Sequence, residues 1–174
     1  MEIEFRTSPF ITDDSFFFLE KYLSNKSSCS VLEFGAGAST IWLDACDKVS
    51  EVTSIEHDKI YYDAVLQRAT KKTVLLLRER PYNTVCNSLD QKFDIIIIDG
   101  RDRNRCFESS LPLLKEDGII IFDNMERGYY HKSYDLWYKN NLGQILSFEQ
   151  VGADRCGFDY SPKKWITSVF IKNS

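Results

Sequence analysis

Apolar residues in this chain fall in short runs, several of which end on acids. Residues 31–34 form one such run, and Gly35 and Gly37 follow at once. A buried strand halted by a glycine turn is the expected reading. Ile41, Trp42 and Ala45 then recur at helical spacing over 40–46, with Ser39 placed as the cap. Residues 51–56 and 73–77 read as strands on either side of a helix that Asp58 caps and that runs to about residue 70. Residues 93–99 hold Ile95 to Ile98, apolar on both faces as a central parallel strand is. A helix over 104–115 presents Phe107, Leu111 and Leu114, with Pro112 placed to shorten or kink it, and 118–123 is a fifth strand. Before the glycine turn, Phe16, Leu19 and Leu23 mark a first helix over 14–24, capped from Thr12 and Asp13. Residues 78–92, with Pro81 and Asn83, read mostly as loop. Residues 129–140 look helical. Residues 145–151 and 165–171 are two closing strands, separated by a loop with Gly152, Gly157 and Pro162.

Five β–α alternations predict an α/β fold, with a parallel sheet, right-handed crossovers and helices on both faces. The closing strands add an antiparallel pair at one edge. The 174 residues suffice for one domain, 1–174, in which 1–29 form an N-terminal helical cover over the sheet edge or ligand mouth, or simply core packing. Net charge is −4, from 22 Lys and Arg against 26 Asp and Glu, so binding to nucleic acid through phosphate contacts is not expected. No apolar run approaches the ~20 residues of a membrane span, and residues 1–5 lack a signal-peptide core. Five cysteines, at 29, 46, 86, 106 and 156, form no C-x-x-C or zinc spacing. Reduced thiols and a cytoplasmic location are expected.

Lining up the strand ends exposes the candidate chemistry. Glu33, Glu56, Asp99 and the Asp123–Asn124 pair all fall near carboxyl ends of strands, the rim where open α/β sheets bind ligands. Gly35 and Gly37 let a ligand approach bare backbone at a helix N-terminus, unless they merely turn the chain. A dinucleotide fingerprint would need a third glycine where Thr40 stands. Glu33 instead suits a ligand bearing an ammonium group. Glu56, about 20 residues on, is placed to accept ribose hydroxyls. Asp99, Asp123 and Asn124 offer hard oxygens for magnesium or another divalent cation, or else cap turns. Arg101, Arg103, Arg105 and Arg127 share the rim and could clamp a carboxylate or phosphate, or be a solvated face.

Taken together, the chain resembles the class I S-adenosylmethionine-dependent methyltransferases. Glu33, Gly35 and Gly37 match that family's acid-x-Gly-x-Gly cofactor loop, Glu56 its ribose-binding acid, and 93–99 with 113–122 its fourth and fifth strands. The resemblance implies a Rossmann-like seven-stranded sheet of order 3-2-1-4-5-7-6 with the last strand antiparallel. It implies S-adenosylmethionine as cofactor, held by Glu33, Gly35, Gly37, Ser39, Glu56 and His57. Asp99 with Asp123 and Asn124 is similar to the divalent metal triad of catechol-type O-methyltransferases. Those enzymes carry a lysine base three residues after the first metal aspartate; Asp102 stands there here and becomes the candidate base beside Asp99, with His131 as its rival. The wording around Asp99 and Arg127 also resembles small glucuronoxylan-type O-methyltransferases, whose acceptors are sugar acids. Arg101, Arg103 and Arg127 are then the candidate anchors of a small, anionic acceptor. The motif of nucleobase amino-methyltransferases is missing after strand four, where Gly100, Arg101 and Asp102 stand. An aminopropyltransferase would want an acidic rim instead. A non-catalytic S-adenosylmethionine-binding or partner-docking domain is the reading from another class.

Overall fold

Four isoleucines in a row, Ile95 to Ile98, are almost wholly buried at the centre of the sheet. Successive residues of a strand face opposite sides, so this run demands cover on both. A computed structural model, which describes residues 3–152 and 163–173, supplies it. On one face, Ile96 and Ile98 pack with Phe34, Phe107, Phe122, Trp137 and Phe170. On the other, Ile95 and Ile97 pack with Leu19, Leu23, Val31, Leu43 and Val169.

The elements run α1 (Asp13–Ser24), β1 (Cys29–Phe34), α2 (Ala38–Ala45), β2 (Val49–Glu56), α3 (Lys59–Leu66), β3 (Thr73–Leu77), β4 (Phe93–Ile98), α4 (Arg103–Ser110), β5 (Leu114–Asp123), α5 (Lys132–Lys139), β6 (Gly143–Gly152) and β7 (Lys163–Lys172). The sheet order is β3-β2-β1-β4-β5-β7-β6. β1 to β5 pair in parallel, whereas β7 runs antiparallel to both β5 and β6. This is the seven-stranded order expected from the resemblance. Helices α1 and α2 contribute to one face, and α4 and α5 to the other.

Most strands run a residue or two beyond the sequence reading, and three larger differences have local reasons. α4 stops at Ser110, a 3-10 turn spans Leu111–Leu113, and β5 starts at Leu114. Pro112 has no amide proton to continue the helical ladder. α3 ends at Leu66, short of residue 70. The Asp44 carboxylate on α2 draws the chain off the helix, accepting bonds from the Thr70 amide (2.9 Å) and the Thr73 hydroxyl (2.7 Å). The loop over 78–92 contains a 3-10 helix, Tyr82–Ser88, whose Tyr82 is buried against the core. Cys29, Cys46, Cys86 and Cys106 are free thiols. Cys156, and the loop with Gly157 and Pro162, lie outside the described residues. Among the described residues no helix is long and apolar enough to cross a membrane.

Candidate active site

The turn after β1 uses its two glycines differently. Gly35 has a φ of +100°, and a Cβ built on it would lie 2.7 Å from the Gly100 backbone. Its missing side chain therefore allows the loops after β1 and β4 to cross, and the residue also lines the same hollow as Gly37. A Cβ on Gly37 would meet nothing within 4 Å. That glycine lines a hollow of about 540 Å³ on the carboxyl rim of the sheet, a volume in the usual range for small-molecule sites.

Glu33 does not line that hollow. Its carboxylate is fully buried and accepts bonds from the hydroxyls of Ser39, Thr40 and Ser54. The direct ligand contact expected of Glu33 gives way to a structural one: it pins the first turn of α2 to β1 and β2. Ser39 turns its hydroxyl to Glu33, and Gly37 takes the N-cap position that the sequence reading gave to Ser39. Burial pushes the Glu33 carboxyl up to about 7 from an ordinary 4.5, against the three hydroxyl bonds. A carboxyl raised in the folded state binds a proton there that the unfolded chain releases, so stability falls as pH climbs from the ordinary carboxyl range through about 7. The shift corresponds to a loss on the order of 3 kcal/mol across that window. Glu33→Gln is expected to flatten the decline in Tm between about pH 5 and pH 8, read by thermal melts in matched buffers. An unchanged slope would show that Glu33 is ionised throughout.

Glu56, buried at the end of β2, has one carboxylate oxygen on the Ala36 amide (2.9 Å) and the other on the amides of His57 and Asp58 (both 2.7 Å). A carboxylate has about four lone-pair sites, so roughly one is left for a hydroxyl in the hollow. His57 stacks on Tyr82, with ring centroids 5.6 Å apart and planes 17° from parallel. Its buried Nδ1 lies 2.8 Å from Glu56 but is oriented for no hydrogen bond with a described residue. An orphaned polar atom beside an acid with a vacant lone pair fits a polyhydroxyl ligand. Ile3, Phe5 and Phe10, from the segment before α1, also line the hollow.

Asp99, Asn124 and Arg127 line the same hollow, whereas Asp123 does not. Asp123 is buried under β7, where its Oδ1 accepts bonds from Trp165 Nε1 (2.8 Å) and the Thr167 hydroxyl (2.6 Å). Burial and the neighbouring Asp99 charge push its carboxyl up to about 7. Burial also raises Asp99, against the guanidinium of Arg103. Among the described residues, no group of three or more His, Cys, Asp and Glu side chains gathers to hold a metal ion. Of the triad read from the sequence, Asp99 and Asn124 face the hollow while Asp123 turns one carboxylate oxygen to Trp165 and Thr167 instead.

The cationic rim is also sorted by the structure. Arg103 is buried beside both hollows, with its guanidinium engaged by the loop after β4 and the end of β5. Arg101 and Arg105 are exposed and make no ion pair among the described residues. With Arg80, His57, Tyr129 and Tyr130 they line a second hollow of about 690 Å³. Arg127 is paired loosely with Glu126, at 3.4 Å. His131 binds the Met125 carbonyl through Nε2 (3.0 Å) and lines neither hollow.

A family model described as a methyltransferase domain matches residues 32–125, more than half of the chain and every rim loop from Glu33 to Asn124. The chain belongs to the class I S-adenosylmethionine-dependent methyltransferase family. Solved structures share its fold. Precorrin 8W decarboxylase from Methanobacterium thermoautotrophicum has a TM-score of 0.67 at 12% identity, covering 99% of this chain and 96% of that one. A caffeoyl-CoA O-methyltransferase assignment from Staphylococcus aureus gives 0.66 at 16%, over 95% and 86% of the two chains. The O-methyltransferase TomG from Streptomyces achromogenes, solved with S-adenosylmethionine, gives 0.64 at 15%, over 94% and 82%. At such identities the likeness is one of fold. No curated protein matches the sequence.

Of the residues that the resemblance assigns to the cofactor, Gly35, Gly37, Ser39, Glu56 and His57 line the hollow of this methyltransferase. Asp102, the base candidate from the sequence, is engaged in an ion pair with Arg80. It sits at a φ of 52° as the N-cap of α4, gripped by Arg80 through two bonds of 2.8 and 2.7 Å. That guanidinium holds its carboxyl below the ordinary range, making it a weak proton acceptor. Losing a general base costs about 10²–10⁴-fold in rate. Asp102→Asn, which tolerates the same backbone, is expected to leave turnover within about three-fold of wild type. A loss of about a hundred-fold in single-turnover assays would restore Asp102 as the base. Sequence reasoning missed Arg80, Tyr82, Trp165 and Thr167. The last two stand on β7, about 40 residues beyond the acid they support, and only the reversed strand brings them there.

Proposed function

We propose that this methyltransferase alkylates an oxygen of a small anionic acceptor, with sugar acids the leading class, and that Asp99 takes the acceptor's proton. The observation that carries the reading is the place of Asp99. It directly follows the central strand, opens on the hollow, and is held above the ordinary carboxyl range by burial. A carboxylate so raised is better matched to accepting a proton near neutral pH. Bound S-adenosylmethionine supplies a methyl group already activated on a sulfonium. The chain's part is to hold the acceptor in line, worth about 7–11 kcal/mol in well-oriented model reactions, and to receive one proton. Arg101 and Arg105 favour an acceptor that carries a carboxylate or phosphate, because both are charged, exposed and line the second hollow, beside the loop after β4. The same charge disfavours polyamines, the acceptors of an aminopropyltransferase.

Transfer of labelled methyl from S-adenosylmethionine to a panel of uronic acids, hydroxy-carboxylates, sugar phosphates, catechols, neutral alcohols and amines tests the reading. Labelled methyl ethers of the anionic hydroxyl compounds are expected. Methylation of amines alone would overturn it. Tight S-adenosylmethionine binding with no transfer to any compound would favour the binding-domain alternative.

A further inference from the structure

Arg103 is a cation placed where the sequence resemblance puts a metal ion. Its side chain is 7% exposed. Its guanidinium bonds the Gly100 carbonyl (2.9 Å), the Asp99 carbonyl (2.7 Å), Asp99 Oδ1 (2.9 Å) and the Asp123 carbonyl. Three carbonyls and a carboxylate, from the loop after β4 and the last residue of β5, are the hard oxygen donors that a divalent ion would collect. Here they converge on a group that cannot lose its proton. The face of the Tyr130 ring, centred 5.5 Å from the guanidinium carbon, covers another side of it.

The remaining acids leave little for a second cation. One oxygen of Asp123 is held by Trp165 and Thr167, and Asp123 is closed off from the hollow. Asp99 already faces Arg103 and feels the charge of Arg127 as well. A divalent ion entering beside Asp99 would meet two guanidinium groups, both fixed in charge.

We propose that Arg103 is the resident cation of this rim, joining the loop after β4 to the end of β5 and orienting Asp99 in place of a divalent metal, so that methyl transfer needs no metal. Arg103 is then a positioning residue: it acts on the acceptor through Asp99. The inference rests on the proposed function only in taking Asp99 as the proton acceptor; the cation's place is a separate matter and is tested without any acceptor.

Mn²⁺ added to the full-length protein and followed by its electron paramagnetic resonance signal reads the site directly. Wild type is expected to leave the free Mn²⁺ signal unchanged, or to bind Mn²⁺ equally in wild type and Asp99→Asn. Binding by wild type that disappears in Asp99→Asn overturns the proposal. Arg103→Ala, freed of the guanidinium, is expected to bind Mn²⁺ about ten-fold more tightly than wild type or better, a gain that a merely structural arginine would not produce. If folded Arg103→Ala binds no more Mn²⁺ than wild type, the proposal fails. If it does not fold, the wild-type and Asp99→Asn titrations decide alone. Failure of every acceptor in the panel would sink the proposed reaction and leave these metal titrations standing.

Discussion

Glu56→Ala is expected to weaken S-adenosylmethionine binding by about a hundred-fold or more, measured by calorimetry. Hydrogen bonds to a charged group contribute about 1.5–3 kcal/mol each, and a buried partner left unpaired adds about 1–3 kcal/mol. Glu56 does two things at once. It offers the hollow its remaining lone pair, and it ties together the amides of Ala36, His57 and Asp58, on the two loops that line the cofactor side. Alanine removes both. Glu56→Gln keeps the shape and one carbonyl oxygen, yet presents an amide nitrogen to some of those backbone donors, so it is expected to fall between the two. Affinity unchanged in Glu56→Ala would remove this acid from the cofactor site.

Gly35→Ala is expected to lower stability by about 3 kcal/mol or more, a fall in Tm of roughly 6–12 °C for a chain of this size. Two causes add. The backbone there has a φ of +100°, which L side chains rarely adopt, and the new Cβ would stand 2.7 Å from the Gly100 backbone. Backbone cannot swing aside as a flexible side chain can. Gly37→Ala should behave in the opposite way. Its Cβ enters open space, so Tm is expected to stay within about 1 °C for a sub-kcal/mol change, while S-adenosylmethionine affinity falls as the methyl group occupies the hollow. Equal Tm losses in the two variants would contradict this division of labour.

That contrast marks how far the sequence can be read. Strand existence was legible, because Ile95 to Ile98 and the acids at or near the ends of β1, β2 and β5 imply a parallel sheet with a polar rim, whereas the strand order followed from the family resemblance. Glu56, Asp99 and Asn124 reached the hollow, as strand-end placement implied. Glu33 and Asp123 share that strand-end pattern, yet both turn inward to hydroxyl and indole donors. Spacing places a residue at a strand end; it does not say which partners its side chain meets. Arg103 is a further case. Its neighbours Arg101 and Arg105 are exposed, whereas Arg103, the first residue of α4 after the left-handed Asp102, is buried against the ends of β4 and β5. A run of alternating arginines carries no sign of that.

The support of Asp123 comes from the last strand. The Thr167 hydroxyl that donates to Asp123 also accepts a bond from the Thr12 amide at 3.0 Å, a contact between residues 155 positions apart. During synthesis on the ribosome, the first helix, both glycines and all the rim acids emerge before β7 does. A nascent chain halted at residue 150 would hold the motif segments but leave the Asp123 carboxylate without its hydroxyl and indole donors, and the start of α1 without its anchor. Folding governed by such distant pairings is slow, so the partly made chain is the form most exposed to chaperones and proteases.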